Sequence, residues 1–126
     1  MKYAVIDVGS NTVRLCVYDV LCPEKRKFKT IMNRKIMAGL AAYVVDGAFS
    51  DEGIAEAILA VKKCIKRASY LSPDRIDVFA TAVLRNISNS AQAIAAIEQG
   101  AGCSISLLSN ADEAHLGFVG ASSRGT

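Results

Sequence analysis

Residues 3–17 read YAVIDVGSNTVRLCV, and the fold follows from how this stretch is parsed. Tyr3 to Val8 is a nearly continuous apolar run rich in β-branched residues, the pattern of a strand covered on both faces. Gly9-Ser10-Asn11-Thr12 is turn chemistry, and the apolar run resumes at Val13, so the stretch predicts a β-hairpin. A buried strand that ends in Asp7 poses a problem of charge. Its carboxylate has to be hydrogen-bonded, linked to a metal or turned toward a cleft, because an unpaired buried charge is costly. The bend beside it offers several backbone N–H groups, and its small residues let a ligand approach the main chain closely. That chemistry suits a phosphate, with a divalent cation bridged to Asp7. A tight hairpin whose polar residues only satisfy their own backbone would read the same way.

Outward from the hairpin, a turn at 22–25 contains Pro23, which denies a strand hydrogen bond. Residues 26–37 (RKFKTIMNRKIM) predict a third strand, more polar and nearer an edge. The stretch 38–49 reads as a connection with a short helical turn. A helix follows, with Ser50 as its cap and Asp51 and Glu52 in the first turn, where the dipole favours negative charge. Ile54, Ile58, Val61, Ile65 and Ala68 recur at helical spacing, and Lys62, Lys63, Lys66 and Arg67 cover the other side. Pro73 enforces the stop. Residues 75–81 (RIDVFAT) predict a strand, 88–102 a helix with a serine or asparagine cap, 103–109 a short strand, and 110–121 a last helix capped by Asn110.

Strands joined through helices should run parallel with right-handed crossovers, and strands joined by short turns should form an antiparallel meander. Both conditions are met by an α/β domain of the ribonuclease-H-like, or actin-like ATPase, type. It would have a mixed five-stranded sheet, three strands in an antiparallel meander plus two parallel strands, flanked by about three helices.

At 126 residues, 52% hydrophobic and 21% charged, the chain has the composition of one globular domain. A net charge of +3 permits an anionic ligand but lacks the dense basic face that nucleic acid or membrane calls for. The basic clusters at 24–29 and 61–67 read as solvated surface, although they could also steer a polyanion. Four scattered cysteines, Cys16, Cys22, Cys64 and Cys103, form no CxxC pair and no zinc set, and point to a reduced, cytoplasmic setting. The longest uncharged apolar stretch, 36–45, is roughly half of the ~20 residues a membrane span needs.

Residues 6–15, IDVGSNTVRL, closely resemble the first phosphate loop of the exopolyphosphatase and guanosine pentaphosphate phosphohydrolase family, a branch of the actin-like superfamily. Its pattern I-D-x-G-S-N-[ST]-x-R-L is met at every fixed position. Residues 80–89, ATAVLRNISN, are similar to a second family signature, A-T-[SA]-x-x-R-x-[AS]-x-N, with Ile87 in place of the usual small residue. Residues 107–121, LLSNADEAHLGFVGA, resemble a third, G-x-E-E-A-R-L-x-x-x-G. There His115 stands where arginine is usual and no role is assigned to it.

The resemblance implies that Asp7, Gly9, Ser10 and Asn11 hold phosphate, that Asp7 carries magnesium through water, and that Thr81 and Arg85 contact substrate. Arg14 would support the loop as a scaffold charge. Glu113 would be the catalytic glutamate acting on the attacking water, although Asn110 to Glu113 also has the spacing of a capping box. The family has a second glycine-rich loop, D-x-G-G-G-S, which this sequence does not reach. The chain is therefore expected to be a single amino-terminal domain, residues 1–126, without its carboxy-terminal actin-like partner domain. The full protein is expected to be a homodimer and to hydrolyse terminal phosphoanhydride bonds of polyphosphate or guanosine pentaphosphate. A non-catalytic phosphate- or nucleotide-binding regulatory module is the alternative. A sugar or acetate kinase half ranks lower, because it lacks the paired Thr81–Arg85 and Asp112–Glu113 signatures.

Overall fold

The computed structural model describes residues 1–22 and 27–107. Five strands form one sheet: β1 (Lys2–Val8), β2 (Thr12–Cys22), β3 (Lys27–Met37), β6 (Arg75–Ala80) and β7 (Ile105–Leu107), in the order β3-β2-β1-β6-β7. β1 pairs antiparallel with β2 and β2 with β3, whereas β6 runs parallel to β1 and β7 parallel to β6. This is the expected ribonuclease-H-like, actin-like sheet, a meander followed by parallel strands. β3 lies at an edge, as its polar sequence predicts.

Three helices are present among the described residues: α1 (Asp51–Ser69), the single turn α2 (Ala82–Arg85) and α3 (Ser90–Ala101). The helix expected over 110–121 lies outside the described residues. Ser50 caps α1 as expected, its Oγ accepting from the Gly53 N–H at 3.1 Å. α1 packs on β1, β2 and α3. Its deepest side chains are Ala57, Ala60, Val61, Cys64 and Ala68, while Ile54, Ile58 and Ile65 are only partly buried. Small residues on the innermost stripe let the helix approach the sheet closely, and Ile58 reaches sideways to Gly100 of α3.

Ala4, Ile6 and Val8 of β1 and Val13, Leu15 and Val17 of β2 are fully buried on one sheet face. Tyr3, Val5 and Asp7, which alternate with them, are half-buried. The run read as covered on both faces thus buries completely only the face beneath α1. On the other face Tyr3 donates its hydroxyl to Asp77, which also pairs with Arg75 at 3.0 Å. Burial, reinforced by the Asp77 hydrogen bond, holds the Tyr3 hydroxyl well above the usual tyrosine range. Cys64 is buried, as a core cysteine should be, whereas Cys16 and Cys103 are half-buried; all three are free thiols.

The connection between β3 and α1 is more structured than the sequence reading allowed. A 3-10 turn (Leu40–Tyr43) leads into a small antiparallel hairpin, β4 (Val44–Val45) and β5 (Ala48–Phe49). Its turn is Asp46-Gly47, with φ of 51° and 79°. Positive φ at both central residues is what a type I′ hairpin turn requires, and Asp-Gly is among its favoured sequences. No helix among the described residues is long and apolar enough to cross a membrane.

Candidate functional site

Parallel pairing of β1 with β6 brings the carboxyl ends of both strands together, Val8 standing level with Ala80. In open α/β sheets that edge is where ligands bind. The bend at Gly9–Asn11 leaves β1 there, and Thr81 leaves β6 there. The Thr81 N–H and Oγ1 both donate to the Val8 carbonyl, at 3.2 and 3.3 Å. β7 continues the parallel arrangement, with Leu107 level with Ala80. The carboxyl end of β7, at Leu107, therefore lies at the same edge, about two strand spacings, roughly 10 Å, from the bend.

The Gly9 N–H donates to the Thr12 carbonyl at 3.0 Å and closes the hairpin. A Cβ on Gly9 would stand 3.2 Å from that carbonyl oxygen, so the closure is fitted to glycine. Ser10 is half-buried and Asn11 exposed. Their carbonyls do not serve the hairpin itself: Ser10 accepts from the Ala41 N–H and Asn11 from the Gly39 N–H, both at 2.8 Å. Among the described residues neither the Ser10 nor the Asn11 N–H donates to a backbone carbonyl. That pair of amides is what an oxyanion would need.

Asp7 stands opposite Arg14 in the β1–β2 register and level with Phe79 of β6. Residues directly opposite in an antiparallel pair share a face, so the carboxylate and the guanidinium lie on the half-buried side of the sheet. Oδ1 of Asp7 is buried, whereas Arg14 is exposed. Among the described residues no three His, Cys, Asp or Glu side chains converge as a metal cage. A magnesium ion asks for less, since it is commonly held by one or two carboxylates together with substrate phosphates and water. Asp7 beside an amide-rich bend fits that mode.

The second signature, 80–89, divides into two roles. Thr81 pins its start to β1, and its carbonyl accepts from Leu84 and Arg85 to open α2. Arg85 closes that turn, half-buried. Asn89 has a different task. Its Oδ1 accepts from the Phe49 N–H at 2.9 Å and its Nδ2 donates to the Phe49 carbonyl at 3.0 Å. The side chain thus imitates a strand neighbour for β5, and so gives no capping bond to α3 although it occupies the N-cap position. The Ser88 N–H donates to Gly47 at 2.8 Å and fastens the same hairpin.

Of the residues singled out in the sequence, the structure gathers Asp7, Gly9, Ser10, Asn11 and Thr81 around the end of β1, with Arg85 one turn beyond and Arg14 across the hairpin. Glu113 and His115 lie outside the described residues. The segment 39–41 and the clamp of Asn89 on Phe49 were not legible as parts of the site's support. The Asp-Gly turn at 46–47 was a signal for the hairpin that Asn89 holds.

A family model described as the Ppx/GppA phosphatase family matches residues 21–125. Among solved structures, a Ppx/GppA family member from Aquifex aeolicus superposes with a TM-score of 0.84 at 22% identity, over 95% of this chain and 39% of that one. An exopolyphosphatase from Cytophaga hutchinsonii gives 0.83 at 24%, over 96% of this chain and 38% of that one. The Aquifex aeolicus PPX-GPPA enzyme gives 0.75 at 25%, over 86% of this chain and 36% of that one. The chain therefore spans well under half the length of these three structures. Those likenesses carry the fold, and the family model covers the second and third signature segments. With the first signature seated at the carboxyl edge of an actin-like sheet, the chain belongs to the Ppx/GppA phosphatase family.

Proposed function

We propose that this domain supplies one wall of a cleft in which a terminal phosphoanhydride bond of polyphosphate or guanosine pentaphosphate is hydrolysed. The observation that carries the reading is the meeting of three chain segments at one sheet edge: the amide-bearing bend at 9–11, Thr81 at the end of β6, and the carboxyl end of β7 at Leu107. The Ser10 and Asn11 N–H groups, with the two side chains, bind oxygens of the terminal phosphate. Thr81 and Arg85 orient the next phosphate, Arg85 as a bidentate donor. Asp7 would hold a magnesium ion, and that ion would supply charge screening for the phosphate oxygens. Glu113 takes a proton from the attacking water as the new P–O bond forms; the bridging P–O bond breaks, and its electron pair stays on the shortened chain.

Phosphoryl transfer depends on donors placed around the whole transferring group, so a single wall binds weakly and turns over little. Tripolyphosphate titrated into the labelled 126-residue chain should shift the amides of residues 9–12 and 81–85, and Arg85→Gln should weaken binding by about tenfold. Shifts confined to Lys62–Arg67 would place the anion on the outer face of α1 and end the reading. Multiple-turnover phosphate release by this chain that survives repurification and disappears in Glu113→Gln would show that one wall suffices.

A further inference from the structure

We infer that the turn following β3, Gly39 to Ala41, is the positioning element of the phosphate bend: it fixes the Ser10–Asn11 peptide plane so that the Asn11 amide faces away from the turn. This rests on the oxyanion reading of residues 9–11. The inference starts from two hydrogen bonds. The Ser10 and Asn11 carbonyls are each taken by an N–H of this turn at 2.8 Å. All peptide bonds among the described residues are trans. In a trans peptide the C=O and the following N–H point in opposite directions. Holding the Ser10 carbonyl against Ala41 therefore points the Asn11 N–H away from the turn, out of the protein.

The turn can do this because it is itself anchored. Leu40, between the two donors, is fully buried in the core. Tyr43, at the end of the 3-10 turn, lies against Gly53 in the first turn of α1. Gly39 brings the chain round with φ 58° and ψ 40°, a left-handed conformation, and a Cβ there would meet nothing within 4 Å. Glycine is thus needed at 39 for its backbone and not for space. A β-branched residue there forces the backbone out of this region and draws both N–H donors off the bend.

Order parameters of the ligand-free chain test the brace without reference to any anion. In the wild type the Asn11 amide should be as rigid as the strands, with S² of about 0.85, and in Gly39→Val it should fall below about 0.6. Gly39→Asn, which tolerates the left-handed region, should retain the rigid bend. Gly102→Val places the same strain at φ 72° beyond α3, also with open space around the Cβ, and should leave the bend unchanged. Tripolyphosphate affinity should fall about fivefold in Gly39→Val, because only a fraction of bends are competent, and stay near wild type in the other two.

A bend that stays rigid in Gly39→Val overturns the inference, as does one that loosens equally in Gly102→Val. A bend that loosens while tripolyphosphate binds as tightly as before overturns the positioning role. A wild-type chain with a braced bend that loosens in Gly39→Val, yet with no tripolyphosphate shifts at residues 9–12, supports the brace and removes the phosphate reading instead.

Discussion

Asn89 shows how a residue within a family signature can serve the scaffold. Its amide satisfies both backbone groups of Phe49, forty positions away, and so holds the β4–β5 hairpin to the segment that carries Thr81 and Arg85. Asn89→Ala leaves both Phe49 groups without that partner in a half-buried place, at a cost of about 2 kcal/mol. The urea midpoint should drop accordingly, while tripolyphosphate affinity measured well below the transition stays at the wild-type value. Lost affinity with stability intact would put Asn89 on the ligand. From the sequence, Asn89 was visible as a pattern match and as a helix-cap candidate; its partner was not, because nothing local links residue 89 to residue 49. Gly9, by contrast, was legible, since a bend between two apolar runs with room for the main chain and little else asks for glycine.

At the level of elements, the two helical glycines separate space from propensity. An alanine at either site gains up to about 1 kcal/mol of helix propensity. At Gly53, in the first turn of α1, the new Cβ would lie 2.5 Å from Cβ of Tyr43 and 2.6 Å from the Phe49 ring. Neither neighbour is the free end of a flexible side chain, so Gly53→Ala should destabilise by about 1–3 kcal/mol net. At Gly100, in the last turn of α3, the nearest atom is Cδ1 of Ile58 at 2.6 Å. That methyl can rotate away, and Gly100→Ala should fall within about 1 kcal/mol of neutral. Equal losses in thermal denaturation of the two variants would contradict this view of α1 as the more tightly seated helix. Periodicity located both helices, and of the stripe it marked on α1, Val61 and Ala68 are among the deepest side chains while Ile54, Ile58 and Ile65 are only partly buried. Ala57, Ala60 and Cys64 complete the innermost face, where short side chains let the helix approach the sheet.

For the whole molecule, the buried ionisable groups make a prediction about pH. Burial pushes the Cys64 thiol from an ordinary 9.0 up to about 11, with nearby Arg67 opposing the shift. The same influence raises Cys103 and Tyr3. Below pH 9 folded and unfolded chains both keep the Cys64 proton, and its contribution to stability is present in full. Between about 9 and 11 the unfolded chain releases that proton first, so stability declines as pH rises through the folded value. Urea midpoints should fall across that interval, and Cys64→Val should flatten part of the decline. A variant curve parallel to wild type would assign the alkaline loss to other groups.

The sequence alone determined the hairpin, the amphipathic α1, the alternation of strands and helices, and hence a mixed sheet of one antiparallel meander plus parallel strands. Those rest on periodicity and turn chemistry, which act over a few residues. It also marked the bend at 9–11 and Thr81 as chemically apt. Only the tertiary structure decided that the bend's carbonyls are occupied by the turn at 39–41, that Asn89 serves β5, and that one face of β1 is only half-buried. Each depends on which distant segments become neighbours once the core closes, and local pattern does not encode that choice.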